Sequence, residues 1–132
     1  MKFTDQHGKE FDFELDQIKV EWRPSAYGVV LNNKRQVLML KTDYSDKWQF
    51  PGGMAEIDET IDQAIVREFG EEIGYKVDPT EKELIYFREN NFYDSYLDQH
   101  FHSIQLSFKV RLSDETHYPE LMLTGESSDA GE

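Results

Sequence analysis

Residues 51–77 read PGGMAEIDETIDQAIVREFGEEIGYKV, and this stretch decides how the rest of the chain is read. Thr60 has the side chain of a helix N-cap, and Gln63 stands three positions on, where it completes a capping box. The run IDQAIVREFGEEI then meets Gly74, the residue type that best tolerates the left-handed turn closing a helix. At about 100° per residue, Ile61, Ile65, Val66, Phe69 and Ile73 share one broad arc, which predicts a core-facing side. With Ile61 set at zero, Glu68 falls at about 340°, Glu72 at about 20° and Glu71 at about 280°. Glu72 therefore lies between Ile61 and Ile65, inside the apolar arc. A solvated helix does not place a carboxylate there.

Three glutamates on one stripe repel each other unless a cation sits among them. Arg67 supplies one positive charge, on the flank next to Glu71. Ala64 occupies the same window with almost no side chain, so a small object can approach the helix. A hard divalent cation fits such a site, and Mg²⁺ keeps waters while sharing phosphate oxygens with a substrate. The competing reading is a solvated acidic face, the usual meaning of a charge run.

Gly53, Glu59 and the run Arg67-Glu68-Phe69-Gly70-Glu71-Glu72-Ile73-Gly74-Tyr75 spell G-x5-E-x7-R-E-U-x-E-E-x-G-U, where U is apolar. This resembles the Nudix box of the Nudix hydrolase family. Every fixed polar and glycine position matches; Phe69 and Tyr75 are aromatic where the pattern usually has an aliphatic. The box covers a minority of the chain, and Trp48-Gln49-Phe50-Pro51-Gly52 before it also resembles the family. The resemblance implies an α/β/α sandwich around a mixed sheet, with the Glu-rich helix against one face. Local signals by themselves support an α+β domain with several antiparallel strands.

The resemblance further implies a metal-dependent hydrolase that cleaves a pyrophosphate bond in a nucleoside diphosphate joined to another group. Glu68, Glu71, Glu72 and the Gly52 carbonyl would hold Mg²⁺ or Mn²⁺, and Arg67 would orient the glutamates. Glu59, at the helix start, would support the loop or bind a further cation. The general base would be Glu71 or a carboxylate outside the box, with Glu126 the best match and Glu120 the next. For the substrate, Arg23 could reach a phosphate, and Phe92, Tyr93 and Tyr96 offer aromatic faces for a base. Oxidised nucleoside triphosphates, ADP-ribose-like sugars and dinucleoside polyphosphates all fit. The alternative is a non-catalytic Nudix-like module that binds a nucleotide and reports it.

The chain of 132 residues has the length of one domain (1–132), with an N-terminal extension at 1–22 and an acidic irregular tail at 113–132. It contains no cysteine, which excludes a disulfide framework and a zinc–thiolate site. Nothing near Met1 resembles a signal peptide and no later run is long and apolar enough to span a bilayer, so the expected location is cytoplasmic. The net charge of −13 argues against a nucleic-acid polymer held by electrostatics, while a small anionic substrate bridged by cations remains compatible. No membrane partner is expected.

In the extension, Gly8 suggests a turn and Phe11, Phe13 and Leu15 alternate, which predicts a hairpin ahead of the core. In the resembling family such additions often take part in dimer contacts, so a homodimer is an expected state. SAYGVVL (25–31) reads as a buried strand and QVLMLK (36–41) as its antiparallel return. Leu84 to Phe87 reads as a strand, Glu89 to Gln99 as a loop, and His100 to Leu112 as a strand with Ile104, Leu106, Phe108, Val110 and Leu112 on one face. His100 and His102 are read on the opposite, polar side, where a transition-metal pair is a minor possibility against ordinary surface residues. Nudix domains usually continue past a segment like Gly125–Glu132 with another strand and a helix, and here those elements are expected to be missing.

Overall fold

The computed structural model describes residues 1–42, 47–122 and 128–129. Ten regular elements build a mixed sheet, a second small sheet and one α-helix: β1 (Lys2–Asp5), β2 (Glu10–Asp12), β3 (Val20–Val29), β4 (Leu40–Thr42), β5 (Trp48–Gln49), β6 (Gly52–Met54), α1 (Ile61–Ile73), β7 (Val77–Asp94), β8 (Gln99–Leu112) and β9 (Ser128–Asp129). Two single 3-10 turns, Leu15–Gln17 and Pro119–Leu121, complete the order. Six strands lie in the order β2-β1-β7-β8-β3-β6, and β5-β4-β9 form a small separate sheet. β3 runs parallel to β8 over ten paired positions, and β6 closes antiparallel on its other side. That arrangement makes β6 the sheet edge from which the loop before α1 starts, with Ala55 of the loop bonded back to Pro24 and Arg23 of β3.

The helix forms where its caps predict. Thr60 accepts from the Gln63 N–H while the Gln63 side chain accepts from the Thr60 N–H, and Gly74 adopts φ 70°. Its inward face packs Ile65, Phe69 and Ile73 onto Ala26, Val30, Leu40, Val77, Phe108 and Val110. Each such side chain contributes roughly 1.5–3 kcal/mol on burial. Two expectations about this face need correcting. Val66 stands 42% exposed, because at the edge of the arc it overhangs the sheet. Ala64 is fully buried, so its small side chain serves close packing and leaves no opening.

Phe69, the larger side chain at an aliphatic position, is accommodated by a glycine. A Cβ on Gly28 of β3 would come within 2.4 Å of the Phe69 ring. Gly28→Ala should therefore cost about 1–3 kcal/mol by overpacking. Phe69→Leu in the same chain should recover most of it. Urea unfolding of the two single variants and the double measures this coupling; additive losses would show that the pair is independent.

Three strand expectations change. The predicted loop 89–99 is mostly strand: β7 runs on to Asp94, leaving Ser95–Asp98 as the turn. Asn90, Asn91 and Asp94 are turn formers, but pairing of Asn90–Asp94 with Gln99–Ser103 overrides local preference. The return at 36–41 touches its predicted partner at one bridge, Leu31 with Val37, and then joins the small sheet. β3 is instead covered by β8 and β6. His100 and His102 share parity with Ile104, so they lie on the same face as it. His100 is buried among Phe3, Phe13 and Tyr93, whereas His102 stacks on Trp22 and meets Glu89 at 2.8 Å.

The predicted N-terminal hairpin is present as β1 and β2, with Gly8 at φ 82° in its turn. Asp5 holds the turn by accepting from the His7 and Lys9 N–H groups. No helix among the described residues is long and apolar enough to cross a membrane.

Candidate active site

The site is built where three neighbouring pieces meet: the glycine strand β6, the loop that follows it, and the carboxylate side of α1. Gly52 is required by contact. It has φ 149°, and a Cβ there would lie 2.2 Å from the Ala26 carbonyl oxygen. Its N–H donates to Glu72 Oε1 at 2.7 Å, which ties β6 to the helix. A Cβ on Gly53 would come within 2.9 Å of the Glu68 carboxylate, so the second glycine leaves that group its place.

Arg67 occupies the centre of the carboxylates, not their flank. Its Nε and Nη2 bind the two oxygens of Glu59 at 2.7 and 2.9 Å. Nη1 donates to Glu68 at 2.8 Å and to Glu71 at 3.2 Å, and Nη2 also donates to the Met54 carbonyl at 3.0 Å. All the N–H donors of the guanidinium are thereby used. The fork geometry explains why arginine suits this position better than lysine. Hydrogen bonding to Glu59, above all, holds the Arg67 charge more firmly than usual. The same bond holds Glu59 below the ordinary carboxylate range. Glu59 also accepts from the Glu56 N–H at 2.8 Å, so its observed part is to anchor the loop.

Glu68 and Glu72 are in the opposite electrical condition. Burial pushes Glu68 up, and Arg67 only partly offsets it. Glu72 is pushed up to about 8, first by burial and then by the neighbouring Glu68 charge, against the Gly52 N–H. Both are hard oxygen donors that lack a sufficient counter-charge, which is the chemistry a divalent cation answers. Among the described residues no three acidic or imidazole side chains converge on one point as a ready cation cage. Arg67 stands among Glu59, Glu68 and Glu71, and Glu72 is turned to Gly52. The donor set fits Mg²⁺ or Mn²⁺ in kind.

Beside Glu72 opens a cavity of about 230 Å³ lined by Ser25, Tyr27, Gln49, Gly52, Asn90, Phe92 and Gln105, among others. Phe92 of the predicted substrate residues is thus at the cavity, stacked on Phe101 with ring centres 6.4 Å apart. Tyr93 is not: strand alternation turns it to Phe11, Phe13 and His100 on the other face. Tyr96 lies in the β7–β8 turn against His7. Arg23 is committed to the loop, donating twice to the Ala55 carbonyl at 3.1 and 2.9 Å and lying over the Phe101 ring. Glu120 is exposed on the 3-10 turn whose Leu121 sits over Gly70. Glu126 lies outside the described residues.

Several cavity residues escaped the sequence reading. Ser103 and Gln105 alternate with the apolar face of β8, a pattern that predicts a solvent side, and Asn90 falls in the predicted loop 89–99. Ser25 and Ser103 are both buried and share a hydrogen bond of 2.9 Å. No signal in the sequence marks them, because an alternating polar face reads the same whether it meets solvent or lines a cleft.

The pattern of the NUDIX domain matches residues 21–130. An RNA pyrophosphohydrolase of Histophilus somni is 40% identical over 65 residues, which is 49% of this chain and 33% of that protein. The chain therefore spans about a third of the length of the curated relatives it matches. Among solved structures, a MutT NUDIX hydrolase from Burkholderia pseudomallei superposes with TM-score 0.56 at 18% identity, covering 75% of this chain and 74% of that one. An ADP-ribose pyrophosphatase from Streptococcus suis gives 0.52 at 16% identity, covering 82% and 69%. At these identities the two structures speak for the fold alone.

Proposed function

The chain belongs to the NUDIX domain family, and on that premise we propose that it hydrolyses a pyrophosphate bond in a nucleoside diphosphate derivative. The observation that carries this reading is the pair of part-buried carboxylates, Glu68 and Glu72, both pushed toward the neutral form by their surroundings, at the edge of a cleft. They would hold Mg²⁺ or Mn²⁺, with Glu71 and the Gly52 carbonyl as further ligands. A bound cation of this kind neutralises diphosphate charge and acidifies water.

The remaining work falls to the protein's own groups. Arg67 keeps the carboxylate side chains in register by binding Glu59, Glu68 and Glu71 at once, which is the positioning that phosphoryl transfer needs. Glu71, 30% exposed against 14% for Glu68, is the base candidate within the helix, able to take a proton from an attacking water. Glu126 is the second candidate for that role. Phe92 offers a stacking face, Asn90 an amide with donors and an acceptor, and Gln105, whose Oε1 accepts from Arg88 Nε at 2.6 Å, an amide donor for a nucleobase edge. The cavity of about 230 Å³ is smaller than a typical ligand site, so it suits one ring system and leaves the phosphates outside, toward the helix.

The curated relatives' name, RNA pyrophosphohydrolase, points to a second substrate form, RNA. The net charge of −13 weighs against a grip on the polymer, so a mononucleotide derivative is the reading preferred here. A phosphate-release panel decides: nucleoside triphosphates, ADP-ribose, dinucleoside polyphosphates and 5′-triphosphorylated RNA, each with and without Mn²⁺. Metal-dependent turnover of a mononucleotide derivative is expected. Turnover confined to RNA would replace the substrate assignment, and binding without turnover on any member would favour the sensor alternative.

A further inference from the structure

One amide in the wall of the cleft beside Glu72 has its orientation set from outside. Gln105 of β8 lines the cavity, whereas Arg88, its partner across the β7–β8 ladder, is not among the lining residues. The Arg88 Nε–H donates to Gln105 Oε1 at 2.6 Å. A guanidinium nitrogen can only donate, so it holds the oxygen end of the amide. The end still to be paired is Nε2, a donor. Asn90 stands two residues along β7 from Arg88 and also lines the cavity. Among the described residues no hydrogen bond fixes its amide, so Asn90 can turn either end to a ligand.

Resting on the reading of this cleft as a nucleotide site, we infer that the Arg88–Gln105 pair selects a base with a carbonyl oxygen where adenine carries its amino group. A free glutamine amide suits adenine, because its oxygen and nitrogen together match the N6 amino group and the adjoining ring nitrogen. Here that oxygen is engaged by a cation. Its second lone pair stays beside the Arg88 charge, which repels the positive hydrogens of an amino group. Adenine at Gln105 gains one bond and leaves N6–H unmatched, and an unmatched polar group costs at least as much as one bond contributes. A 6-oxo base reverses the balance. Its O6 accepts from Gln105 Nε2, and the nearby positive charge favours that oxygen.

Phe92 stacks on any base and Asn90 adapts to whichever enters, so the discrimination falls to the one amide that is held. Gln105 is the group that meets the base. Arg88 acts through it and is a positioning residue.

Inosine 5′-monophosphate (IMP) and adenosine 5′-monophosphate (AMP) differ at C6 and in the N1 proton that follows from it. They also share the nucleoside 5′-phosphate common to the mononucleotide substrates considered above. Their dissociation constants, measured by calorimetry on the full chain with Mg²⁺ present, therefore separate base selection from hydrolysis. IMP should bind about tenfold more tightly than AMP, the discrimination that a matched base contact supplies. Arg88→Met frees the amide to turn, and the preference should disappear, chiefly through tighter AMP. Gln105→Glu puts acceptors where the donor stood and should make AMP the tighter ligand. A merely structural role for Arg88 would weaken both nucleotides together and leave their ratio in place. A wild type that binds AMP as well as IMP, or a ratio that either variant leaves unchanged, would overturn the selector while nucleotide binding stands. Binding of neither nucleotide at millimolar concentration would overturn the nucleotide reading of the cleft, and the selector with it.

Discussion

Glu72→Gln should lower metal-dependent turnover by about 10²–10³-fold in kcat while leaving the metal-free protein folded. Glutamine matches glutamate in size and can still accept the Gly52 N–H through its Oε1, so the tie between β6 and α1 survives. What is lost is the capacity to be an anion in a place where burial already opposes one. Thermal melts separate the two effects. In the wild type, Mn²⁺ at a hundredfold excess over its dissociation constant adds about 2.7 kcal/mol, seen as a rise of several degrees in Tm. The variant should melt like the metal-free wild type and show little of that rise. Full activity with a normal rise would remove Glu72 from the site.

The second large effect concerns Arg67. Arg67→Ala strands Glu59, Glu68 and Glu71 without their shared partner, and removing one member of a part-buried ionic cluster costs about 3 kcal/mol. Denaturant titration should show that loss, together with a fall in activity beyond what unfolding explains. Arg67→Lys keeps the charge but has three donors on a flexible stem and no planar fork. It should recover a minor part of the stability and little of the activity. Were lysine to serve as well as arginine, simple charge balance would explain the cluster and the geometric argument would fail.

Much of this site can be read from residue order because it is local. The capping box, the left-handed Gly74 and the spacing of Glu68, Glu71 and Glu72 all lie within one helix and its two ends. Helical geometry fixes their relative angles before any tertiary contact forms. Glu72 inside an apolar arc is the anomaly that matters, and the structure turns that side chain to the Gly52 N–H in a part-buried place.

Readings that depended on distant partners fared differently. Arg67 lies on the flank of the helix by angle, yet its long side chain turns back to Glu59 and Met54, which the loop brings to it. Spacing gives the position of a Cβ but not the destination of a guanidinium. Asn90 and Asn91 look like loop because their preference is for turns, and their strand state comes from β8 alone. Tyr93 looks like Phe92 in sequence, and only alternation across a long strand separates one from the cleft and sends the other to Phe11 and Phe13. Gly28 carries no local signal at all; its meaning appears when the Phe69 ring lies on it.

The measurement closest to the central claim is an anomalous difference map from crystals soaked in Mn²⁺. A peak within coordination distance of both the Glu68 and Glu72 carboxylates, with Arg67 still bound to Glu59, is the expected result. A clean map at full Mn²⁺ exposure, with Glu72 still bonded to the Gly52 N–H, would contradict it.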